Sequence, residues 1–261
     1  MIRVAAWNVN SIRSRIVHLT TWLRAGNPDV VLLQELKVPS DGFPRIEVED
    51  LGYNLAIVGQ KTYNGVAILS RHKMSIEAVR LPGDEGDEHA RYVEALVETG
   101  GKVLRVASIY LPNGNPVESA KYPYKLAWLD RLHDHARNLL AFEEPLVLGG
   151  DYNVAPSDED VYDPLGWKDD ALCRPETRAK YRRLLNLGLV DAYRALNLEP
   201  RRYTFWDYQA GCWQNDQGLR IDHLLLSPQA ADRLAGSNID KGPRGLDKPS
   251  DHTPIWCDLD L

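Results

Sequence analysis

Four short stretches carry side chains that could perform metal and acid–base chemistry together. They are Trp7-Asn8 with Asn10, Gln34-Glu35, Gly149-Gly150-Asp151-Tyr152-Asn153 and Ser250-Asp251-His252. Each sits at the end, or just before the start, of an apolar run that reads as a strand. Carboxylates and amides gathered from several strand ends, with one imidazole among them, suit metal-assisted hydrolysis of a phosphodiester. Glu35 offers two oxygens to a hard cation such as Mg2+. Alone it reads as an ordinary surface glutamate, and Asn8 at the same kind of strand end adds weight to the metal reading. In the glycine-containing stretch, Asp151 and Asn153 alternate along extended chain and could face one side. A carboxylate there can take a proton from an attacking water, and an amide can donate to a phosphate oxygen. The plainer reading is a Gly-Gly turn whose Asp and Asn satisfy local backbone donors.

Asp222 lies inside the apolar run Leu219–Leu226, where an acid is costly without a partner. His252 would be an economical one, because the carboxylate orients the ring and favours its charged form. A cationic His252 could then stabilise charge on a phosphate oxygen. His223 competes for Asp222, but strand alternation points it to the opposite face. Tyr110 ends the run Val103–Ile109 ahead of Leu111-Pro112-Asn113-Gly114-Asn115. It reads equally well as a phosphate donor or as a core tyrosine before a turn. Phe205-Trp206-Asp207-Tyr208, with Trp213, Leu219 and Ile221, could form an apolar pocket or simply a piece of core.

The elements that must position these groups are legible in outline. Strands are expected at Ile2–Ala6, Val30–Leu33, Tyr53–Val58, Val66–Leu69, Tyr92–Val97, Val103–Leu111, Leu146–Leu148, Tyr203–Phe205, Ile221–Leu226 and Thr253–Leu259. A helix capped by Ser11 should present Ile12, Ile16, Leu19 and Leu23 on one face and stop at Gly26-Asn27-Pro28. A second, over Pro123–Leu140, should share a face of Leu126, Leu129, His133, Ala136 and Leu140. Others are expected near Thr177–Leu187 and from Pro228 to Leu234, and Pro82–His89 reads as an exposed loop. Many strands with a few helices between them suggest two sheets packed face to face with helices outside.

The bulk numbers bound the rest. At 261 residues, 44% hydrophobic and 26% charged, the chain reads as one large domain spanning 1–261. No apolar run could span a bilayer and no export signal opens the chain, so no membrane partner is expected. Cys173, Cys212 and Cys257 form neither a disulfide framework nor a zinc pattern, which suits a reducing cytoplasm. A net charge of −6 argues against gripping nucleic acid over the whole surface, but leaves room for a local basic rim around an acidic centre.

Together the motifs resemble the exonuclease III family of apurinic/apyrimidinic endonucleases, of bacterial type, within the endonuclease/exonuclease/phosphatase superfamily. The resemblance is carried by Trp7-Asn8-Val9-Asn10, Leu33-Gln34-Glu35-Leu36-Lys37, Tyr63-Asn64-Gly65-Val66-Ala67-Ile68-Leu69-Ser70 and Tyr110-Leu111-Pro112-Asn113-Gly114. It continues in Gly150-Asp151-Tyr152-Asn153-Val154-Ala155, Thr204-Phe205-Trp206-Asp207-Tyr208, Gly218-Leu219-Arg220-Ile221-Asp222 and Ser250-Asp251-His252. It implies a four-layer α/β sandwich of two mixed β-sheets, DNase I-like, with the site at one end of the sheets. It implies Mg2+, replaceable by Mn2+, held chiefly by Glu35 with Asn8 and Asp251 nearby. The residue matching Asp151 would prepare the water; those matching Asn153, Tyr110 and His252 would hold the phosphate, with Asp222 orienting the histidine. Lys37 and Asn113 match residues lining the same site. Phe205, Leu219 and Ile221 match a pocket for a flipped-out abasic sugar, and Trp213 stands in the loop from which residues enter the DNA.

The activity so implied is cleavage of double-stranded DNA 5′ to abasic sites, with trimming or unblocking of 3′ ends. It would be carried out by a monomer in the cytoplasm, associated with the nucleoid of a bacterium. A phosphatase, sphingomyelinase or deadenylase of the same superfamily, and a binding protein that kept the fold, are the competing readings. The Tyr110–Gly114 and Phe205–Ile221 segments favour the DNA branch, and the complete set of catalytic groups argues against the binding protein.

Overall fold

The computed structural model describes residues 1–261. In chain order it contains β1 (Ile2–Asn8), α1 (Ile12–Gly26), β2 (Val30–Gln34), α2 (Arg45–Glu49), β3 (Asn54–Val58), β4 (Val66–Ser70), β5 (Met74–Ala78), β6 (Tyr92–Thr99), β7 (Lys102–Tyr110) and α3 (Lys121–Leu140). There follow β8 (Leu146–Asp151), α4 (Pro164–Trp167), α5 (Pro175–Leu185), β9 (Val190–Asp191), α6 (Ala192–Leu196), β10 (Asp222–Leu226), α7 (Pro228–Ala231), β11 (Leu234–Ile239) and β12 (Ile255–Leu259).

The strands form two six-stranded mixed sheets, ordered β11-β12-β1-β2-β4-β3 and β5-β6-β7-β8-β10-β9. Each contains one parallel pair joined by a helical crossover, β1-α1-β2 and β7-α3-β8. Strand alternation then sorts the apolar side chains into layers. Val4, Ala6, Val30 and Leu32 face Val93, Ala95, Val106 and Leu224 between the sheets. Ala5, Trp7, Val31 and Leu33 face outward onto Ile12, Leu19 and Leu23 of α1. On the other side Ala107, Ile109 and Leu148 meet Trp128, Leu129 and Leu132 of α3 and Leu184 of α5. Helix, sheet, sheet and helix are therefore stacked in that order. Central strands buried on both faces read as continuous apolar runs, which is why β1, β2, β4 and β7 were legible.

Several expectations need correction. The paired glycines do not make a turn, because β8 runs through both of them to Asp151. They are there for clearance. A Cβ on Gly149 would lie 2.5 Å from Leu224 and 2.6 Å from Leu32, and one on Gly150 (φ +145°) would lie 2.0 Å from the Ile109 carbonyl. Ser11 (φ +87°) makes no side-chain cap; its backbone N–H donates instead to the Glu35 carbonyl at 2.8 Å, tying the start of α1 to the residue after β2. The buried face of α3 is Tyr122, Lys125, Trp128, Leu129, Leu132, Ala136 and Leu139, rotated from the one expected, with His133 at its margin. Tyr203–Phe205 forms only isolated bridges, from Phe205 to Leu219 and to His252. The helix from Pro228 stops at Ala231, so that Leu234 begins edge strand β11. Edge strand β5 is absent from the expected strands; Met74, Ile76 and Ala78 do alternate with polar residues, but the strand is short and largely exposed.

Behind the end of β10 lies a buried ionic network. Arg220 pairs with Asp160 at 2.8 Å and Asp191 at 2.7 Å, and its guanidinium donates to Nδ1 of His223 at 3.0 Å. Nε2 of His223 donates to the Val154 carbonyl at 2.8 Å, which fixes the neutral tautomer. Burial and the Arg220 cation, opposed by Asp191, hold this imidazole down at about 4. The unfolded chain then binds a proton near the ordinary value of 6.5 that the folded chain refuses, so stability falls as pH drops through that window. We predict a loss of about 2 kcal/mol from this group between pH ~7.5 and ~5. In H223Q, whose amide can make both hydrogen bonds, the loss should disappear. Urea unfolding at the two pH values measures it, and equal slopes for both proteins would refute the assignment.

Candidate active site

The ends of strands from both sheets meet at one end of the sandwich. In the first sheet, parallel pairing sets Asn8 beside Gln34, so Asn8 and Glu35 emerge together. In the second, Asp151 is paired with Tyr110 on one side and Asp222 on the other. Asp251 and His252 lie just ahead of β12, which pairs with β1. Register thus gathers 8, 35 and 252 in one sheet and 110, 151 and 222 in the other, and the face-to-face packing of the sheets brings the two sets together.

Hydrogen bonds complete the arrangement. The Asn8 amide nitrogen donates to Glu35 Oε1 and to Asp151 Oδ2, both at 2.9 Å. The Tyr110 hydroxyl donates to the same Glu35 oxygen at 3.0 Å, and the Lys37 ammonium pairs with Oε2 at 2.8 Å. Asn10 links Lys37 to Asp251, donating to Asp251 Oδ1 at 2.9 Å. His252 donates from Nδ1 to Asp222 Oδ2 at 2.8 Å, which leaves Nε2 facing Asp151 Oδ2 at 3.8 Å. Asp151 Oδ1 accepts the Asn153 backbone N–H at 2.9 Å, and the Asn113 amide donates to Asn153 Oδ1 at 3.0 Å. His223 does point away from Asp222, as strand alternation requires.

Ionisation follows from this geometry. Burial pushes Asp151 up, and the nearby Asp222 and Glu35 carboxylates reinforce burial against the opposing His252 cation. Burial alone would lower His252, but the Asp222 and Asp151 carboxylates outweigh it and raise the imidazole to about 10. Glu35 is half-buried, which would raise it, yet the Lys37 cation and the Asn8 amide bring it below its ordinary value. Tyr110 is held well above the usual phenol range by burial and by Glu35 and Asp151, so it is a proton-bearing donor. One site therefore holds an ionised acid, a carboxylate primed to accept a proton, and a charged imidazole.

These groups open onto a cavity of about 290 Å³ lined by Glu35, Tyr110, Asn113, Asp151, Asn153, Asp251 and His252 on its polar side. Phe205, Ile221, Trp167 and Leu172 supply its apolar wall. A larger groove of about 830 Å³ lies between the edge strands β3 and β5, but none of the clustered acids or His252 lines it. The chemistry belongs to the smaller cavity.

Some expected residues sit elsewhere than at its surface. Asn8 is fully buried: its amide cross-links the two carboxylates while its oxygen accepts the Asn10 N–H at 3.0 Å. Asp222 and Lys37 act from behind and beside it. Leu219 is not in the wall. Strand-like pairing with Phe205 turns it into a buried cluster with Val161 and Leu172, where it backs Phe205. Trp213 does not project either. It packs edge-on to Trp206 at 4.9 Å, with the Arg244 guanidinium 5.4 Å from its ring. The exposed aromatic of this stretch is Tyr208, whose hydroxyl donates to the Pro249 carbonyl at 2.9 Å. Trp167 and Asp170 line the cavity from a polar segment whose composition gives no pattern to read, and Asn115 lines it from the stretch after Tyr110.

The donor set fits a metal ion. Oxygen ligands predominate, and the Lys37 ammonium on Glu35 shows that these acids require a positive partner. One ligand atom each from Asp151, Asp222 and His252 also lies within 4.8 Å of the others. In that trio the Asp222–His252 hydrogen bond already occupies one oxygen and one nitrogen; Glu35 and Asp251 line the cavity together, and a hard cation there would take over from the Lys37 ammonium as the positive partner of Glu35.

The pattern of the Endonuclease/Exonuclease/phosphatase family matches residues 5–252. Exodeoxyribonuclease III of Haemophilus influenzae is 33% identical over 99% of this chain and 100% of its own. An AP endonuclease structure from Archaeoglobus fulgidus superposes with a TM-score of 0.93 at 35% identity, covering 100% of both chains. A Neisseria 3′ phosphatase, NExo, bound to a product DNA hairpin superposes at 0.92 with 36% identity, again over 100% of both.

The Asp222–His252 pair makes a direct prediction. In metal-free protein, NMR titration should show His252 protonated well past neutral pH, near the value of about 10. In D222N the midpoint should fall by roughly two units or more. An unchanged midpoint would mean that Asp222 does not sustain the charge.

Proposed function

The chain belongs to the endonuclease/exonuclease/phosphatase family and, within it, to the exodeoxyribonuclease III group of nucleases, and from that membership we propose a Mg2+-dependent DNA-repair phosphodiesterase. Its proposed substrate is double-stranded DNA, cut 5′ to abasic sites. The observation that carries this reading is the pairing of a proton-accepting Asp151 with a charged His252 beside the apolar wall of Phe205, Ile221, Trp167 and Leu172. A sugar without a base can lie against such a wall, and the scissile phosphate then reaches the polar side.

The residues divide the work. The amides of Asn153 and Asn113, the Tyr110 phenol and the His252 cation surround the phosphate and donate to its oxygens. Asp151 takes a proton from a water aligned with the phosphorus, and that oxygen attacks in line as the bond to the 3′ oxygen breaks. The products are a 3′-hydroxyl and a 5′ sugar phosphate. Mg2+, held chiefly by Glu35 with Asp251, and replaceable by Mn2+, would supply Lewis-acid stabilisation of charge on the phosphate and the departing oxygen. Asn8 keeps Glu35 and Asp151 together, and Asp222 keeps His252 oriented and charged.

The same chemistry at a duplex 3′ end would release a 3′ phosphate or trim nucleotides. The likeness to a 3′ phosphatase bound to a DNA hairpin favours including that activity. No helix is long and apolar enough to cross a membrane. The proposed enzyme works as a monomer on the DNA of the bacterial nucleoid.

A labelled duplex with one abasic analogue, titrated with Mg2+ and resolved at single-nucleotide resolution, tests the reading. A single cut 5′ to the lesion is expected; absence of metal-dependent cutting would refute it. N153A should lower turnover about 10²–10³-fold, as loss of one preorganised donor does. Mg2+ should also raise the melting temperature of the wild type by several degrees, by mass action on the folded state. E35Q should lose most of that shift, and a full shift in E35Q would remove Glu35 as the principal ligand.

A further inference from the structure

Helix α3 carries a lysine that the hydrolytic scheme does not use. Lys125 is completely buried, with 0% of its surface exposed. Its ammonium donates to two backbone carbonyls, that of Asn113 at 2.9 Å and that of Asn153 at 2.5 Å. A wholly buried lysine is rare, and satisfying its donors within the protein is a condition of its charge. Burial pulls the ammonium down to about 7 against the opposing fields of Asp170 and Asp151.

The two carbonyls belong to the two asparagines whose amides line the cavity. Their side chains are interlocked. Asn113 Nδ2 donates to Asn153 Oδ1 at 3.0 Å, and Asn153 Nδ2 donates to the Leu111 carbonyl at 2.9 Å. Asn113 Oδ1 accepts the Asn115 N–H at 3.2 Å. Each amide nitrogen keeps one N–H in reserve, because an NH2 group has two. Asn153 also adopts the left-handed region, at φ +48°, which asparagine tolerates better than most residues and which aims its side chain off the line of β8. Gly114 makes way for the lysine stem: a Cβ there would lie 2.7 Å from Lys125 Cδ.

We propose that Lys125 is the positioning residue that joins the segments of Asn113 and Asn153 and aims their spare amide hydrogens at one phosphate. It does not line the cavity and touches no reacting atom, so it acts only through the two asparagines. The proposal deepens the phosphodiesterase reading and rests on it for its kinetic consequences. Its structural content stands without a substrate. The crossover helix of the second sheet thereby becomes part of the phosphate clamp.

The test uses K125M, which preserves the length and approximate volume of the side chain and removes its donors. On the abasic duplex kcat should fall on the order of 10–100-fold, with KM within about threefold of wild type. In the N113A/N153A background the same change should cost less than about threefold more, because the groups it positions are gone. Full additivity, or wild-type kcat in K125M, would overturn the proposal. A substrate-free readout separates it from the functional reading: the side-chain amide resonances of Asn113 and Asn153 should be sharp and slow to exchange in wild type and broadened in K125M. If the wild type fails to nick the duplex, the functional reading falls, and these resonances still decide the role of Lys125. Should K125M not fold, K125A with added ethylammonium replaces it; recovery of the sharp resonances supports the proposal, and failure to recover them in folded protein overturns it.

Discussion

Crowding of negative charge in a buried place is the condition to which the rest of this molecule answers. Asp151 and Asp222 offer ligand atoms within 4.8 Å of each other, and Glu35 shares the Asn8 amide with Asp151. At an effective dielectric of ~20, two full charges at that spacing repel by about 3 kcal/mol, before the cost of desolvating either one. Three local devices offset it. A charged imidazole lies against Asp222, an ammonium against Glu35, and an amide N–H pair bridges Glu35 to Asp151. They do not cancel it: burial first, and then the Asp222 and Glu35 carboxylates, raise the affinity of Asp151 for a proton against the His252 cation. The same surroundings suit a bound cation.

Such a cluster can form only where two sheets bring their strand ends to one point, and this requires unusually close approach. The Gly149-Gly150 pair supplies the clearance. Any Cβ at these positions would collide with Leu224, Leu32 or the Ile109 carbonyl. Gln34 and Ser108 then bridge the facing sheets, the Gln34 amide donating to the Ser108 hydroxyl at 3.0 Å and that hydroxyl to the Leu33 carbonyl at 2.8 Å. Polar residues between two otherwise apolar sheet faces are costly unless paired, and here the Gln34 amide nitrogen and the Ser108 hydroxyl are paired one residue before Glu35. Register, clearance and bridge together leave the acids little freedom to separate.

What the sequence disclosed follows from where information is local. The strand runs through Val30–Leu33 and Val103–Ile109 are apolar on both faces and declare themselves, as does the stop at Asn27, which adopts the left-handed conformation at the end of α1. Asp222 within an apolar run demanded a partner, and His252 is that partner. The clustered polar groups are visible because each is an anomaly against its neighbours. Leu219 and Trp213 were misplaced because an apolar residue carries no sign of which way a loop turns it. Lys125 was hidden for the opposite reason: a lysine on a helix ordinarily faces water, and only the rotation of α3 reveals that this one does not. The cavity residues Trp167 and Asp170 depend on tertiary context that no short window contains.

A division of labour between contact and support follows. The side chains that face the cavity come from strand termini and short loops, where backbone geometry is least constrained by regular hydrogen bonding. Each is braced by a group one layer deeper. Asp222 braces His252, Asn8 braces Glu35 and Asp151, and Leu219 backs Phe205. The Arg220–Asp160–Asp191 network reaches Val154, one residue beyond Asn153, through the neutral His223. Charge-assisted bonds suit this supporting layer, because they are short, directional and lost all at once rather than by degrees. Misplacing a reacting group by an ångström can cost two orders of magnitude in rate, whereas the hydrophobic core tolerates rearrangement on that scale. The buried polar residues at this end of the sandwich are therefore best understood as setting its geometry, while the apolar layers hold the sandwich together.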